Sequence, residues 1–151
     1  MAKKPTITIC SSANFYKQAV NIQKQLQKHG YKVVIPHTAE KMKKSGDFDA
    51  SHYRTWLKDA SNYDRKTWLM REHFKEVASS DVVLVINEEK HGVPNYIGGN
   101  VLMEMALAFH LGKPIYVYNE IPAESMFLEE IIGMEPMSLR GNLAPLIQDI
   151  K

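Results

Sequence analysis

Apolar and polar positions fall into two rhythms along this chain. Thr6-Ile7-Thr8-Ile9-Cys10 sets β-branched residues in alternation and runs into the polar Ser11-Ser12-Ala13-Asn14, which predicts a strand opening into a turn. From about Ala13 to His29 the rhythm changes: Phe15, Ala19, Ile22 and Leu26 recur at spacings of three and four, the apolar stripe of one helix. Gly30 supplies its stop. Lys32-Val33-Val34-Ile35 reads as a second short strand closed by Pro36.

The segment from His37 to about Asp64 has the weakest pattern. Lys41-Met42-Lys43-Lys44 reads as one helical turn and Ser45-Gly46-Asp47 as a turn, and Asp49 to Ala60 as a further helix with Tyr53, Trp56 and Leu57 on one side. A clearer helix is expected from about Asp64 to Ser79, with Trp68, Leu69, Phe74 and Val77 on an imperfect apolar face. Val82-Val83-Leu84-Val85-Ile86 is a continuous apolar run, as expected of a central parallel strand buried on both sides. A loop from Asn87 to Ile97 leads to a helix from about Gly99 to Leu111, stopped by Gly112. Pro114-Ile115-Tyr116-Val117-Tyr118 makes a fourth strand. The tail reads as a helix near Glu124–Ile132, a short strand or turn near Met134–Leu139, and a final short helix. This βα alternation predicts one α/β domain over residues 1–151, flavodoxin-like or Rossmann-like. Its mostly parallel sheet would have four to five strands and helices on both faces.

Composition narrows the function classes. The 19 basic and 17 acidic residues leave a charge of +2, which offers no electrostatic reason to expect a nucleic-acid polymer as partner. With 44% hydrophobic residues in ordered runs, disorder is not expected. No apolar stretch approaches the roughly 18–20 residues that span a bilayer, and MAKKPTITIC lacks the features of a secretory leader. A single cysteine, Cys10, in a strand that reads as buried has no intramolecular partner for a disulfide, so a cytoplasmic globular protein is expected.

In open α/β sheets ligands bind beyond the carboxyl ends of the strands, which selects Ser11–Phe15, His37–Thr38, Asn87–Asn100 and Asn119–Glu120. Asp81 precedes its strand and is read as a strand-leading turn residue outside the site. Within Tyr96-Ile97-Gly98-Gly99-Asn100, two adjacent glycines allow close backbone approach at the mouth of a helix whose first N–H groups suit a phosphate or sugar oxygen. Glu104 is the only ionisable side chain between Asn100 and His110. A carboxylate in so apolar a helix is costly to bury without a partner or a task. The competing reading is a favourable interaction with the helix dipole.

At these residues the chain resembles the nucleoside 2-deoxyribosyltransferase-like superfamily, which includes deoxynucleoside-monophosphate N-glycosidases. The resemblance is carried by Cys10-Ser11-Ser12, by Ser80-Asp81-Val82-Val83-Leu84-Val85, by Tyr96 to Ala108 with Glu104, and by Lys113-Pro114-Ile115-Tyr116-Val117. It covers the alternating core and omits His37–Asp64. It implies that Glu104 is a nucleophile that attacks the anomeric carbon of a (deoxy)nucleoside or its 5′-monophosphate. A covalent glycosyl-enzyme then passes to water or a second base. It also implies that Ser11, Ser12 and the residues after them, Asn14 and Phe15, contact the base or sugar, and that Gly98, Gly99 and Asn100 hold the sugar or its 5′ group. His37, Asn87, Tyr96 and Ile97 are candidate substrate contacts by their place beyond the carboxyl ends of the strands. Two positions depart from the family pattern. His73 stands where an aspartate is common, eight residues before Asp81, and Gly98 where aspartate or serine is frequent. A second, partial resemblance is to the cytokinin-releasing phosphoribohydrolases, whose GGxGTxxE pattern shares the spacing of Gly98-Gly99 to Glu104. The alternative to an enzyme is a nucleotide-binding or sensing domain that keeps the pocket without catalysis.

The remaining candidates carry less. The six histidines show no HxxxH or HxH spacing and there is no second cysteine, so neither a metal site nor a cofactor is expected. His91 sits in a loop that could close over substrate, and His110 near a helix end suits the dipole. Lys41–Lys44, Arg54, Lys58, Arg65, Lys66 and Arg71 make the central segment basic. That reads first as a solvated face and second as a receiver for substrate phosphate. Tyr53, Trp56, Tyr63 and Trp68 read as core or dimer packing before a base-stacking wall. With the Met-rich helix Met103–Leu111, and because relatives of this kind assemble, a homodimer or larger homo-oligomer is expected.

Overall fold

In the computed structural model, which describes residues 3–150, the alternating rhythm becomes five strands and six α-helices. In chain order they are β1 Thr6–Ser11, α1 Tyr16–Lys28, β2 Lys32–Val34, α2 His37–Ser45, α3 Tyr63–Ser79, β3 Val82–Ile86, α4 Gly99–His110, β4 Ile115–Val117, α5 Leu128–Gly133, β5 Met137–Ser138 and α6 Ala144–Asp149. The strands form a single sheet in the order β2-β1-β3-β4-β5, and every pairing is parallel. The long β1–β3 ladder, Ile7 beside Val82 through Ser11 beside Ile86, is the spine. Strand order reverses there, since the chain goes outward from β1 to β2 and returns to β3 on the other side.

The two-residue period of the central strands sorts side chains onto two cores. Ile7, Ile9, Val82, Leu84 and Ile86 face Ala19, Ile22 and Leu26 of α1 and Leu146 of α6. Cys10, Val83 and Val85 face the other way, toward Val77 of α3, Val101, Met105 and Ala108 of α4, and Ile131 of α5. All five residues of β3 are buried, as its unbroken apolar run predicts. Asp81 stays at the strand-leading edge, where its backbone N–H donates to Thr6 O at 2.9 Å and its Oδ2 accepts from Thr6 N–H at 2.8 Å.

The segment before α3 departs from expectation. The helix expected over Asp49–Ala60 is instead a chain of short 3₁₀ turns at Ala50–His52, Thr55–Leu57 and Ala60–Asn62. The cause is a repeated Asp-Ala-Ser. Asp49 Oδ1 accepts from both N–H and Oγ of Ser51, at 2.9 and 2.7 Å, and Asp59 Oδ1 does the same for Ser61, at 3.0 and 2.7 Å. These local bonds compete with a continuous helical ladder. In contrast, the single turn expected at Lys41–Lys44 extends to a full helix, α2. It starts just after Pro36 and ends on Gly46, whose φ of +76° and N–H bond to Met42 O at 2.8 Å make a left-handed cap. Near the C-terminus α5 begins four residues later than expected, because Ser125 Oγ accepts from Phe127 N–H and holds that stretch as a turn. No helix among the described residues is long and apolar enough to cross a membrane.

Candidate active site

Three elements deliver one buried cluster. Cys10 faces α3 and α4 because β1 turns its odd residues Ile7 and Ile9 to the opposite core. On α3, Lys66, Met70, His73 and Val77 share a face by their spacing, and the burial of His73 and Val77 shows that this face is inward. On α4, Glu104 lies among the buried Val101, Met105 and Ala108. His73 is 7% exposed, Glu104 2% and Cys10 0%, so all three are out of bulk water.

The contacts within the cluster are directional. Glu104 Oε1 accepts from Asn100 Nδ2 at 2.7 Å, one helical turn back. His73 Nδ1 meets Glu76 Oε2 at 3.0 Å, and His73 Nε2 lies 3.5 Å from Cys10 Sγ. The same Nε2 stands 3.1 Å from Glu104 Oε2, within ion-pair range but off the axis of the ring N–H, which leaves Oε2 buried without a hydrogen bond. Burial opposes charge on the His73 ring, yet the Glu104 carboxylate and Cys10 outweigh it and hold its pKa well above the ordinary histidine value. Burial, reinforced by Glu104, pushes the Cys10 thiol up to about 12, so the free side chain is a neutral thiol at ordinary pH.

Above this floor opens a cleft of about 210 Å³ at the carboxyl ends of β1 and β3, the place the strand order selects. Of the residues expected there, Ser11, Ser12, His37, Tyr96, Gly98, Gly99, Asn100 and Glu104 line it. Four others do not. Phe15 and Ile97 are buried in the two cores, and Asn14 is exposed on the turn before α1. Asn87 is fully buried as a loop clamp: its Nδ2 donates to Glu120 O at 2.8 Å, and its Oδ1 accepts from Asn119 N–H at 2.9 Å. Phe15 and Ile97 thus serve packing and Asn87 braces the loops, while Asn14 faces solvent.

The walls are cationic. Arg54, Lys66 and Lys90 line the cleft, and none of the three has a carboxylate within ion-pair distance among the described residues. Lys66 Nζ donates to Asn100 Oδ1 at 3.3 Å and Lys90 Nζ to Ser12 Oγ at 3.1 Å. Lys90 also sits 4.8 Å above the Tyr96 ring, and Lys66 5.7 Å above that of Trp56. Burial, and then Arg54, lowers the pKa of both lysines. At the head of α4, Gly98 caps without a side-chain bond, so the first N–H groups of the helix open toward this electropositive space. Arg54 and Lys66 come from the basic segment read first as a solvated face, and Lys90 from the Asn87–Asn100 stretch that the strand-end rule selects. The i, i+4, i+7 placement of Lys66, Met70 and His73 was the available signal. Trp56 is buried at the cleft, whereas Trp68 is 42% exposed and meets His37 edge-on at 4.9 Å.

Cys10, His73 and Glu104 also place three metal-ligating atoms within 4.8 Å of one another, a grouping hidden from linear spacing because it draws on three elements. No family model matches the chain, and no curated protein is significantly similar to it.

Proposed function

We propose that this protein cleaves or transfers the N-glycosidic bond of a (deoxy)nucleoside or nucleoside 5′-monophosphate, with Glu104 as nucleophile. The observation that carries the reading is Glu104 Oε2: a buried carboxylate oxygen, without a hydrogen bond, on the floor of a cationic cleft at the switch in strand order. Oε2 attacks the anomeric carbon, the carbon–nitrogen bond breaks, and the base leaves with its electron pair and takes a proton from water. Attack by water or by a second base on the same carbon then frees the carboxylate. Asn100 holds the other oxygen, and the His73 ring balances the carboxylate charge before attack. Arg54, Lys66, Lys90 and the open N-terminus of α4 suit a 5′-phosphate.

The reading includes a cytoplasmic homo-oligomer, supported by Met103, Ala106 and Phe109, exposed apolar residues on the outer side of α4. A second reading, a nucleotide sensor without turnover, is favoured by His73, which replaces the aspartate of the resembling family and contacts Glu104 directly.

Chromatography of free base after incubation with ribo- and deoxyribonucleosides and their 5′-monophosphates tests the proposal. Base release by the wild type should fall about a thousandfold or more in Glu104→Gln, which keeps the shape and the Asn100 bond. Undiminished release in that variant removes the nucleophile. Saturable binding without release selects the sensor.

A further inference from the structure

We propose that Cys10, His73 and Glu104 form a binding site for zinc or a similar thiophilic divalent cation beneath the cleft. This goes beyond the glycosidic reading and does not depend on it.

The donor set is thiol sulfur, imidazole nitrogen and carboxylate oxygen, all buried, with the three ligating atoms within 4.8 Å of one another. A tetrahedral ion with metal–N and metal–O bonds of about 2.0–2.2 Å and a metal–S bond of about 2.3 Å separates its ligands by about 3.4 Å N to O and about 3.6 Å N to S. Here Nε2 lies 3.1 Å from Oε2 and 3.5 Å from Sγ. The imidazole nitrogen therefore sits within tenths of an ångström of its ideal separation from both other donors, and the sulfur and oxygen, within 4.8 Å of one another, close toward about 3.6 Å around an ion.

Two independent observations aim it at a cation. Glu104 Oε2 is buried without a hydrogen bond, and the His73 ring 3.1 Å away balances its charge only off-axis, a place that a cation bridging Oε2 and Nε2 would fill in exchange for the ring proton. The outer shell has also been built: His73 Nδ1 is engaged by Glu76 Oε2 at 3.0 Å, which makes Nε2 the ligating nitrogen once its proton is displaced, and Glu104 Oε1 is held by Asn100 at 2.7 Å. His73 and Glu104 reach the cleft while Cys10 stands behind them, so a fourth coordination position would face the cleft.

The mixed sulfur, nitrogen and oxygen set selects zinc over magnesium or calcium, which require six or more oxygens. On binding, the thiol proton leaves to solvent and the thiolate bonds the metal. Where Nε2 carries a proton, that one leaves as well. Coordination engages the Glu104 oxygen assigned to attack, so a loaded site and a free nucleophile exclude each other.

Cobalt(II) is the probe. Chelator-stripped protein titrated with Co²⁺ should bind one ion per chain and show the visible bands of tetrahedral cobalt. It should also show a near-ultraviolet thiolate-to-cobalt charge-transfer band, both lost on adding Zn²⁺. Because Cys10 is the chain's sole cysteine, that band reports this site alone. Glu76→Gln, at a part-exposed position that threatens the fold little, should weaken cobalt binding about 10- to 100-fold while keeping the band. Absence of the band at stoichiometric cobalt, or affinity in Glu76→Gln equal to wild type, overturns the site as described. Base release is measured on the metal-free protein, so the two proposals fail separately.

Discussion

A Cβ added at Gly98 would stand 3.0 Å from the Tyr96 hydroxyl and 3.1 Å from its Cε1, closer than side chains ordinarily pack. The ring would have to move, and with it the Lys90 ammonium that sits over it. Gly98 is also the N-cap of α4, a position where alanine is poorer by up to about 1 kcal/mol. Gly98→Ala should therefore lower Tm by only about 2–4 °C while raising KM several-fold. At Gly99 an added Cβ meets nothing within 4 Å, and Gly99→Ala should not lower Tm. Thermal melts with substrate titrations check the pair, and equal losses in both would refute the Tyr96 argument. At this scale the sequence is uneven. Glu104 stands out as a lone charge in an apolar helix, whereas His73 shows only as a departure from the resembling family and Cys10 only as a lone strand cysteine. Their meaning comes from a contact across 63 residues that exists only once β1 lies under α3.

Helix α3 serves two purposes along one face: Val77 enters the core, while Lys66 and His73 reach the cleft. Its registry makes Lys66 a phosphate ligand if the proposed substrate is correct. Lys66→Met should raise KM for a nucleoside 5′-monophosphate about tenfold or more, the scale of one charge-assisted bond, and change KM for the unphosphorylated nucleoside much less. Equal effects on the two substrates would place the phosphate elsewhere. Burial and Arg54 lower the Lys66 pKa, and a lysine is charged below its pKa. The preference for the 5′-monophosphate should thus be present near neutrality and fade as pH rises, sooner than an ordinary lysine would allow. The periodicity of α1 and α4 was legible because each buries one stripe, whereas α3 buries only His73 and Val77 and leaves Trp68 of its expected face exposed. The stretch over Asp49–Ala60 was not legible, because an apolar trio at helical spacing is outweighed by two Asp-Ala-Ser turns whose side chains bond their own backbone.

Across the whole molecule, the parallel order β2-β1-β3-β4-β5 puts every strand's carboxyl end on one edge, and α4 runs from that edge with two unlike sides. Its inner side carries Glu104. Its outer side leaves Phe109 53% and Met103 43% exposed, with Leu111 beyond it 45% exposed. The alternation of strands and helices was enough to anticipate this architecture, since apolar runs and stripes are properties of the chain. Whether a second copy covers the outer side of α4 lies outside what the pattern of a single chain carries. If a second copy covers it, the wild type should sediment as a dimer or larger species at micromolar concentration, and Phe109→Asp should shift it to monomer. A charge desolvated at such a contact costs several kcal/mol of association. Because Phe109 is on the solvent side, the variant should keep its Tm in the dilute, dissociated state, which separates a broken interface from a broken fold. A monomeric wild type across that range would exclude the assembly. A monomer that still released base would show that the cleft is complete within one chain.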